Sequence, residues 1–373
     1  MIAWLIALIL AISAPVPAEA WLQSRDSNYN KSISAGASYT GPGDIVASAT
    51  AWYGLRGYNG AYATGSNKSI NVRRASDNTT QDINILSTGA LDITTANTFA
   101  GTDATASCTI ATTTATCTGA SSTPHVGSTI TGSGVTNPCF ATAVGTFIGG
   151  AGTVTLGGVG TSPCGTIAVA ATMTFQYGLY VTEAYDQSGN AHPITQGTAA
   201  NQPELLPLCI NSLPCMNLLT RGAIQLAGTI TSVSQPYSLA SVMERTGSFS
   251  NNSGYITTTN GAIFSTTSAN TLAVYCGAGG TPSITANDSV WHSASGVCSG
   301  LNSVIYADAV TTTGSSGSSA SGTAIGIAIG TNPFAGNITE AGMWPLALSP
   351  TQQTNLCKND QAYYNASNFG ATC

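Results

Sequence analysis

Charge is what this chain most lacks. Only 6% of its 373 residues are Asp, Glu, Lys or Arg, nine basic against fifteen acidic, for a net charge of −6. Nine scattered cations make no basic stripe, which argues against a nucleic-acid partner, whose binding rests on neutralised phosphates. Histidine is scarce as well. His125, His192 and His292 stand far apart and there is no Cys-x-x-Cys pair, so zinc is disfavoured and no metal ligand set is assigned. A structural calcium ion stays compatible with Asp, Asn and loop carbonyls, although EF-hand spacing is missing, and no other cofactor is implied. No Gly-x-Ser-x-Gly elbow occurs, so a Ser-His-Asp triad lacks that turn.

Thr, Ser, Gly and Ala dominate instead, with Val and Tyr, a composition that favours β structure over helix. The chain opens on about a dozen apolar residues, too few to span a bilayer, and reaches Ala18-Glu19-Ala20. That pattern reads as a secretory signal peptide over residues 1–20, so the expected location is secreted, extracellular or periplasmic, with no membrane span after cleavage. Ten cysteines fit an oxidising compartment. Pairing sequence neighbours gives Cys108–Cys117, Cys139–Cys164, Cys209–Cys215, Cys276–Cys298 and Cys357–Cys373, although sequence leaves the connectivity open. Residues 21–43, ending in Gly41-Pro42-Gly43, read as a leader or linker.

From residue 44 onward, short runs of alternating apolar residues are separated by Gly, Asn and Ser, and Ser349-Pro350 caps a helix with Gln352 to Tyr364 as its body. The stretch Tyr185-Asp186-Gln187-Ser188-Gly189-Asn190-Ala191-His192 is a dense polar turn after an apolar strand. Asp186 is expected to accept bonds from that turn's backbone or from Arg73 or Arg74, with sugar binding as the alternative.

Tyr-Asp-Gln-Ser-Gly-Asn followed by Thr195-Gln196 resembles a segment of the arabinofuranosidase-B catalytic domain. Trp52-Tyr53-Gly54-Leu55-Arg56, Asn71 to Asn78 and Asp82-Ile83 resemble that domain's opening strands. Val290-Trp291-His292 and Ser303 to Ala309 resemble laminin-G-type strands. The resemblance covers roughly residues 44–100 and 179–365. It implies an all-β fold: a two-sheet antiparallel concanavalin-A-like (jelly-roll) sandwich over 44–373 with a short C-terminal helix. Residues 101–178 interrupt it with four cysteines and short Gly-bounded runs, and read as an inserted small β subdomain stapled by two disulfides. Those runs resemble small β modules of phage tails.

Glycoside hydrolysis needs two carboxyls flanking the scissile bond. Asp26, Asp44, Asp103 and Asp360 lie in polar or terminal stretches and read as solvated, while Asp77, Asp82 and Asp92 read as turn residues. Glu183, Asp186, Glu204, Glu244, Asp288, Asp308 and Glu340 remain, and Glu244 and Glu340, flanked by apolar strand residues, are the catalytic candidates. The resembled domain places its nucleophile in Asp-x-Glu-Asn, where this chain has Thr257-Thr258-Thr259-Asn260. Its acid/base Asp follows Gly-Gly, where this chain has Ile327-Ala328-Ile329-Gly330-Thr331-Asn332, and its adjacent cysteine pair has no counterpart. The resemblance therefore implies a glycan-binding frame without that family's acids. An active α-L-arabinofuranosidase-like hydrolase with a relocated carboxyl pair, and a structural or adhesive surface or phage-tail-associated protein, stay open. Sugar binding would use aromatic faces and polar groups: Trp52, Trp291 and Trp344, with Asp77, Asn78, Asp186, Asn190 and His192. The expected partner is a polysaccharide or glycan.

Overall fold

The Gly336–Trp344 strand is buried along its whole length because it is paired on both edges. Tyr237–Arg245 runs along one edge, and Leu213–Asn217 followed by Ala51–Gly54 along the other, all antiparallel. Beyond Tyr237–Arg245 the ladder continues through Trp291–Cys298, Ser303–Ala307 and Val310–Gly314. Beyond Leu213–Asn217 it continues through Glu204–Ile210, Leu179–Ala184, Lys68–Arg74 and Thr80–Asn84. A second branch leaves Leu179–Ala184 through Ile194–Thr195, Leu226–Thr229 and Ala324–Ile327. It ends with Ser253–Thr258, Ala262–Ser265, Thr271–Tyr275 and Ser283–Thr285. The two branches face each other. A Cβ on Gly296 would meet Val274 and Ile263 of the second branch at 2.7 and 3.2 Å, so glycine is what lets the layers close there. This computed structural model describes residues 39–135, 139–158, 164–218, 225–246, 253–265, 270–277, 281–328 and 336–373. The expected signal peptide lies outside them, and no described helix is long and apolar enough to cross a membrane.

Residues 102–176 form a closed antiparallel barrel, ordered Thr102–Ala111, Thr114–Thr118, Gly152–Gly158, Cys139–Val144, Thr129–Gly132 and Ile167–Gln176. Period-2 alternation explains it. Ala104, Ala106, Cys108 and Ile110 point inward with Ala115, Cys117, Val154, Leu156, Met173 and Phe175. Thr105, Ser107, Thr114, Thr116, Thr118, Thr153 and Thr155 are not buried and clothe the outside with hydroxyls. The barrel's two ends meet, Tyr177 N donating to Gly101 O at 3.4 Å.

Three described helices attach to the strands: α1 (Pro42–Ile45), α2 (Ile93–Ala100) and α3 (Pro350–Tyr364). The Ser-Pro start of α3 is a reciprocal cap, Ser349 Oγ accepting from Gln352 N and Gln352 Oε1 from Ser349 N. Its Leu356 packs with Trp52, Tyr58, Ala240, Val297 and Trp344 on the outer face of the first branch. Residues 39–43, read as linker from sequence, are packed into the body. Tyr39 is buried and donates to Gly57 O, and Gly41 N donates to Asp44 Oδ2 at 2.8 Å.

All ten cysteines are bonded, and the five pairs are those given by sequence neighbours. Cys108–Cys117 and Cys139–Cys164 lie in the barrel, while Cys276–Cys298 ties the two branches.

Candidate functional site

Residues directly opposite in antiparallel strands share a face. By register, Arg73, Tyr180, Glu204, Asn217, Asn337, Glu244 and Trp291 form one row across the outer face, on seven successive strands. Asn217 Nδ2 donates to Asn337 Oδ1 at 2.8 Å, and Asn337 Nδ2 donates to Glu244 Oε2 at 2.9 Å. Burial pushes the Glu244 carboxyl up to about 7, against the Asn337 bond and the nearby His292. Such a carboxyl exchanges its proton near neutrality, but Glu244 is only 2% exposed and has no open cleft before it.

Glu340 lies on the same face, opposite Val242. Its carboxylate is gripped at both oxygens by fully buried Arg56, from Nε and Nη2 at 2.8 Å each. The same guanidinium reaches Asp360 of α3 and lies over the Tyr363 and Tyr364 rings, 5.0 and 5.3 Å from their centroids. Asp360, read as solvated from sequence, is therefore a buried member of this cluster. Burial and the adjacent Glu340 charge push its carboxyl up to about 8, against the pull of the Arg56 cation that both acids contact. Glu340 and Glu244 thus serve different networks, and neither faces the other across a groove.

Solvent reaches this face at its other end. Asp82 and Glu183 flank Asn71 by register. Asp82 accepts from Lys68 Nζ at 2.7 Å, Asn71 Nδ2 at 2.8 Å and Tyr185 OH at 2.7 Å. Burial raises its carboxyl, but these donors outweigh burial and the net shift is downward, whereas burial and the Asp82 charge raise Glu183. These two carboxyls, one strand apart, are thus pushed in opposite directions. Sequence reasoning read Asp82 as a turn residue. The signal that finds it is outward period-2 alternation along Asn71, Arg73 and Asp82.

The tryptophans expected to stack on sugar are in the core. Trp52 and Trp344 pack against each other at 5.3 Å, Trp344 Nε1 donates to Val46 O, and Trp291 is 6% exposed. Asp186 serves its turn: Oδ1 accepts from Trp52 N and Ser188 N, and Oδ2 from Ser188 Oγ and His192 N. Its expected arginine partners are engaged elsewhere, Arg73 with Gln202 and Asn78, Arg74 with Asp77. Asn190 bonds the Ala49 and Thr50 carbonyls, and the His192 carbonyl accepts from Tyr53 OH. Asp77 and Asn78 occupy the exposed hairpin turn after Lys68–Arg74, each holding an arginine of that strand.

Two histidines pair with aspartates, and neither imidazole engages a serine. His292 sits between Asp308 and the Asn287 carbonyl; burial lowers its basicity most, but the Asp308 bond and charge, the Asn287 carbonyl and the Asp288 charge together outweigh burial and the net shift is upward. His125 Nδ1 pairs with Asp103, whose other oxygen takes Ser128 Oγ. Asp103 was read as solvated, but its side chain is 1% exposed. Among the described residues no cluster of three His, Cys, Asp or Glu could hold a metal ion.

Solved structures match this architecture. A GH54 α-L-arabinofuranosidase soaked with a cyclic sulfate inhibitor superposes with TM-score 0.53 at 15% identity, over 87% of this chain and 66% of that one. The fold is arabinofuranosidase-like. An arabinofuranosidase complexed with arabinofuranosyl-α-1,2-xylobiose matches with TM-score 0.52 at 16% identity, over 87% and 65%. This chain thus spans just under two thirds of the length of those enzymes. No family model and no curated protein matches the sequence.

Proposed function

We propose that this is a secreted glycan-recognising protein, built on a concanavalin-A-like frame of the arabinofuranosidase type and lacking that enzyme's catalytic acids. The observation that carries the reading is the stretch Thr257-Thr258-Thr259-Asn260, which holds the place of the Asp-x-Glu-Asn segment in the resemblance. Thr257 and Thr258 are buried, their hydroxyls donating to the Gly326 and Gly261 carbonyls. A hydroxyl held this way cannot attack an anomeric carbon as a carboxylate does. Five disulfides and the apolar N-terminal run support secretion. Arabinose-containing polysaccharide is the first ligand to test, because the structural neighbours are arabinofuranosidases.

A second reading, hydrolysis by a relocated pair, is favoured by one feature: Asp82 and Glu183 are solvent-reached and shifted in opposite directions. A glycan array together with a sugar-release assay on arabinan and arabinoxylan separates the two. Binding without release supports the proposal. Release that disappears in Glu183→Gln would replace it with the second reading, and neither binding nor release would leave the structural or adhesive role.

A further inference from the structure

The free edge of a sheet is normally guarded against other chains by charge, proline, a bulge, shortness or a covering element. Among the described residues, the ladders of the layered body end in Thr80–Asn84, Ser283–Thr285 and Val310–Gly314. Thr80–Asn84 carries Asp82, ion-paired to Lys68, and the chain folds back on it, Asp92 N donating to Asn84 O at 2.9 Å. Ser283–Thr285 is only three residues long. The barrel closes on itself and has no edge.

Val310–Gly314 has none of these devices. It pairs with Ser303–Ala307 in one unbroken register over all five residues. Val310 to Thr313 are exposed, and the only Asp, Glu, Lys, Arg or His residues between 289 and 339 are His292 and Asp308, buried and bonded to each other. The turn decides which main-chain groups face out. Asp308 and Ala309 form a two-residue hairpin turn at φ 46° and 70°, so Ala307 and Val310 are its hydrogen-bonded closing pair. Such pairs alternate along an antiparallel ladder, so Thr312 and Gly314 also bond inward. Thr311 and Thr313 turn their N–H and C=O groups to the open side, where no described residue bonds them. Large apolar side chains are also exposed at both ends of the edge, Val310 at 47% and Leu301 at 79%. Leu301 lies in the Gly300–Asn302 turn at the Gly314 end, where Ser316 N donates to Gly300 O at 3.3 Å.

We propose that Val310–Gly314 is a dimerisation edge whose partner is the same strand of a second copy of this chain, running antiparallel. A twofold axis through Thr312 sets Thr311 of each copy opposite Thr313 of the other, and their outward groups exchange N–H···O bonds. The same pairing brings the Val310 end of each copy to the Leu301 end of the other, which a parallel pairing does not. Opposed threonines are favourable cross-strand neighbours, and no like charges meet. Because the same patch serves both copies, the assembly closes at two.

The edge is short, so the dimer is a weak one that depends on concentration. Sedimentation velocity of the purified chain, from about 1 to about 300 μM, should show its mass move from one chain toward two. Thr313→Pro removes an outward N–H and leaves the hairpin's own bonds, while Thr312→Lys sets like charges face to face on the axis. Each should weaken association by about tenfold or more, with the dilute chain melting as before. A mass that stays at one chain throughout, or grows beyond two, overturns the proposal. So does a dimer that survives both substitutions unchanged. Were the edge kept for a different protein's strand, the pure chain would stay single, which is the first of these outcomes.

Discussion

Between residues 102 and 176 the barrel carries a single acid, Asp103, and no Lys or Arg, and puts most of its threonine hydroxyls outside. The layered body does the reverse, burying Arg56, Glu204, Glu244, His292, Asp308, Glu340 and Asp360. Size accounts for the difference. A barrel of six strands around Ala, Cys and Val has little apolar area to set against desolvated charge, so it buries one acid, Asp103, held by His125 and Ser128, and closes its loops with two disulfides. The larger body tolerates buried ions where they are paired. There they fix positions: Arg56 joins the segment after Ala51–Gly54 to the Gly336–Trp344 strand and to α3 at one point.

The largest break in this contrast is expected at Arg56. Arg56→Met leaves Glu340 and Asp360 buried without their cation, and loss of one partner of a buried pair costs about 3–5 kcal/mol. Thermal denaturation should show the body destabilised by that much, whereas Thr116→Ala on the barrel's outer surface should stay within about 0.5 kcal/mol. Equal effects at the two sites would contradict the division of labour.

Reduction should act the other way round. A 15-residue closed loop is worth roughly 3 kcal/mol in the chain-entropy model, and the barrel's two bridges close loops between residues 9 and 25 apart in sequence. Under mild reductant, amide exchange should therefore rise first in residues 102–176. Simultaneous loosening of the body would tie the two cores together. Replacing residues 102–176 by a short Gly/Ser linker is the sharper version: the joined ends predict a body that still unfolds cooperatively.

Acidity gives a smaller effect with a definite sign. Asp360, raised to about 8, and Glu244, raised to about 7, bind more protons folded than unfolded. Their contribution is complete below the ordinary carboxylate range and is lost as pH rises through those two values. His292, also raised, acts in the same sense, while Asp82, lowered, opposes it toward acid. The melting temperature of the body should fall between about pH 5 and pH 8, and Asp360→Asn should flatten that slope. A melting temperature that climbs over this range would refute the assignment.

The smallest effect is expected at the polar turn that joins Leu179–Ala184 to the rest of the body. Asp186 accepts three bonds within its own turn and a fourth from Trp52 N on another strand. Asp186→Asn keeps the shape and loses charge-assisted acceptance, at a cost of about 1–3 kcal/mol seen in the melting curve with or without glycan. Lost glycan binding at an unchanged melting temperature would move Asp186 into a binding role.

Several elements could be read directly from the chain. The alternation of Ala104, Ala106 and Cys108 with Thr105 and Ser107 marks a half-buried strand, because the pleat repeats every two residues. Ser349-Pro350 with Gln352 marks a helix start, because each backbone donor there is met within four residues. The five disulfides also join cysteines that are neighbours in the cysteine order, 6 to 25 residues apart. All of these are short-range facts, decided by residues that lie near one another in the chain.

The fate of each acid was decided elsewhere. Asp360 sits in a polar stretch of sequence, but it is buried because Arg56, 304 residues away, is brought beneath α3. Glu340 has an apolar setting that suits a catalyst, but the same arginine, 284 residues away, occupies both its oxygens. Asp82 and Glu183 become neighbours only because Lys68–Arg74 lies between their strands. Desolvation and Coulomb energies are sums over whatever the folded chain places nearby, and those neighbours come from strand pairing across the whole length of the molecule. Sequence alone therefore determined which segments alternate as strands and where the last helix begins. Only the tertiary structure determined which cysteines bond, which carboxyls are paired and which are open to solvent.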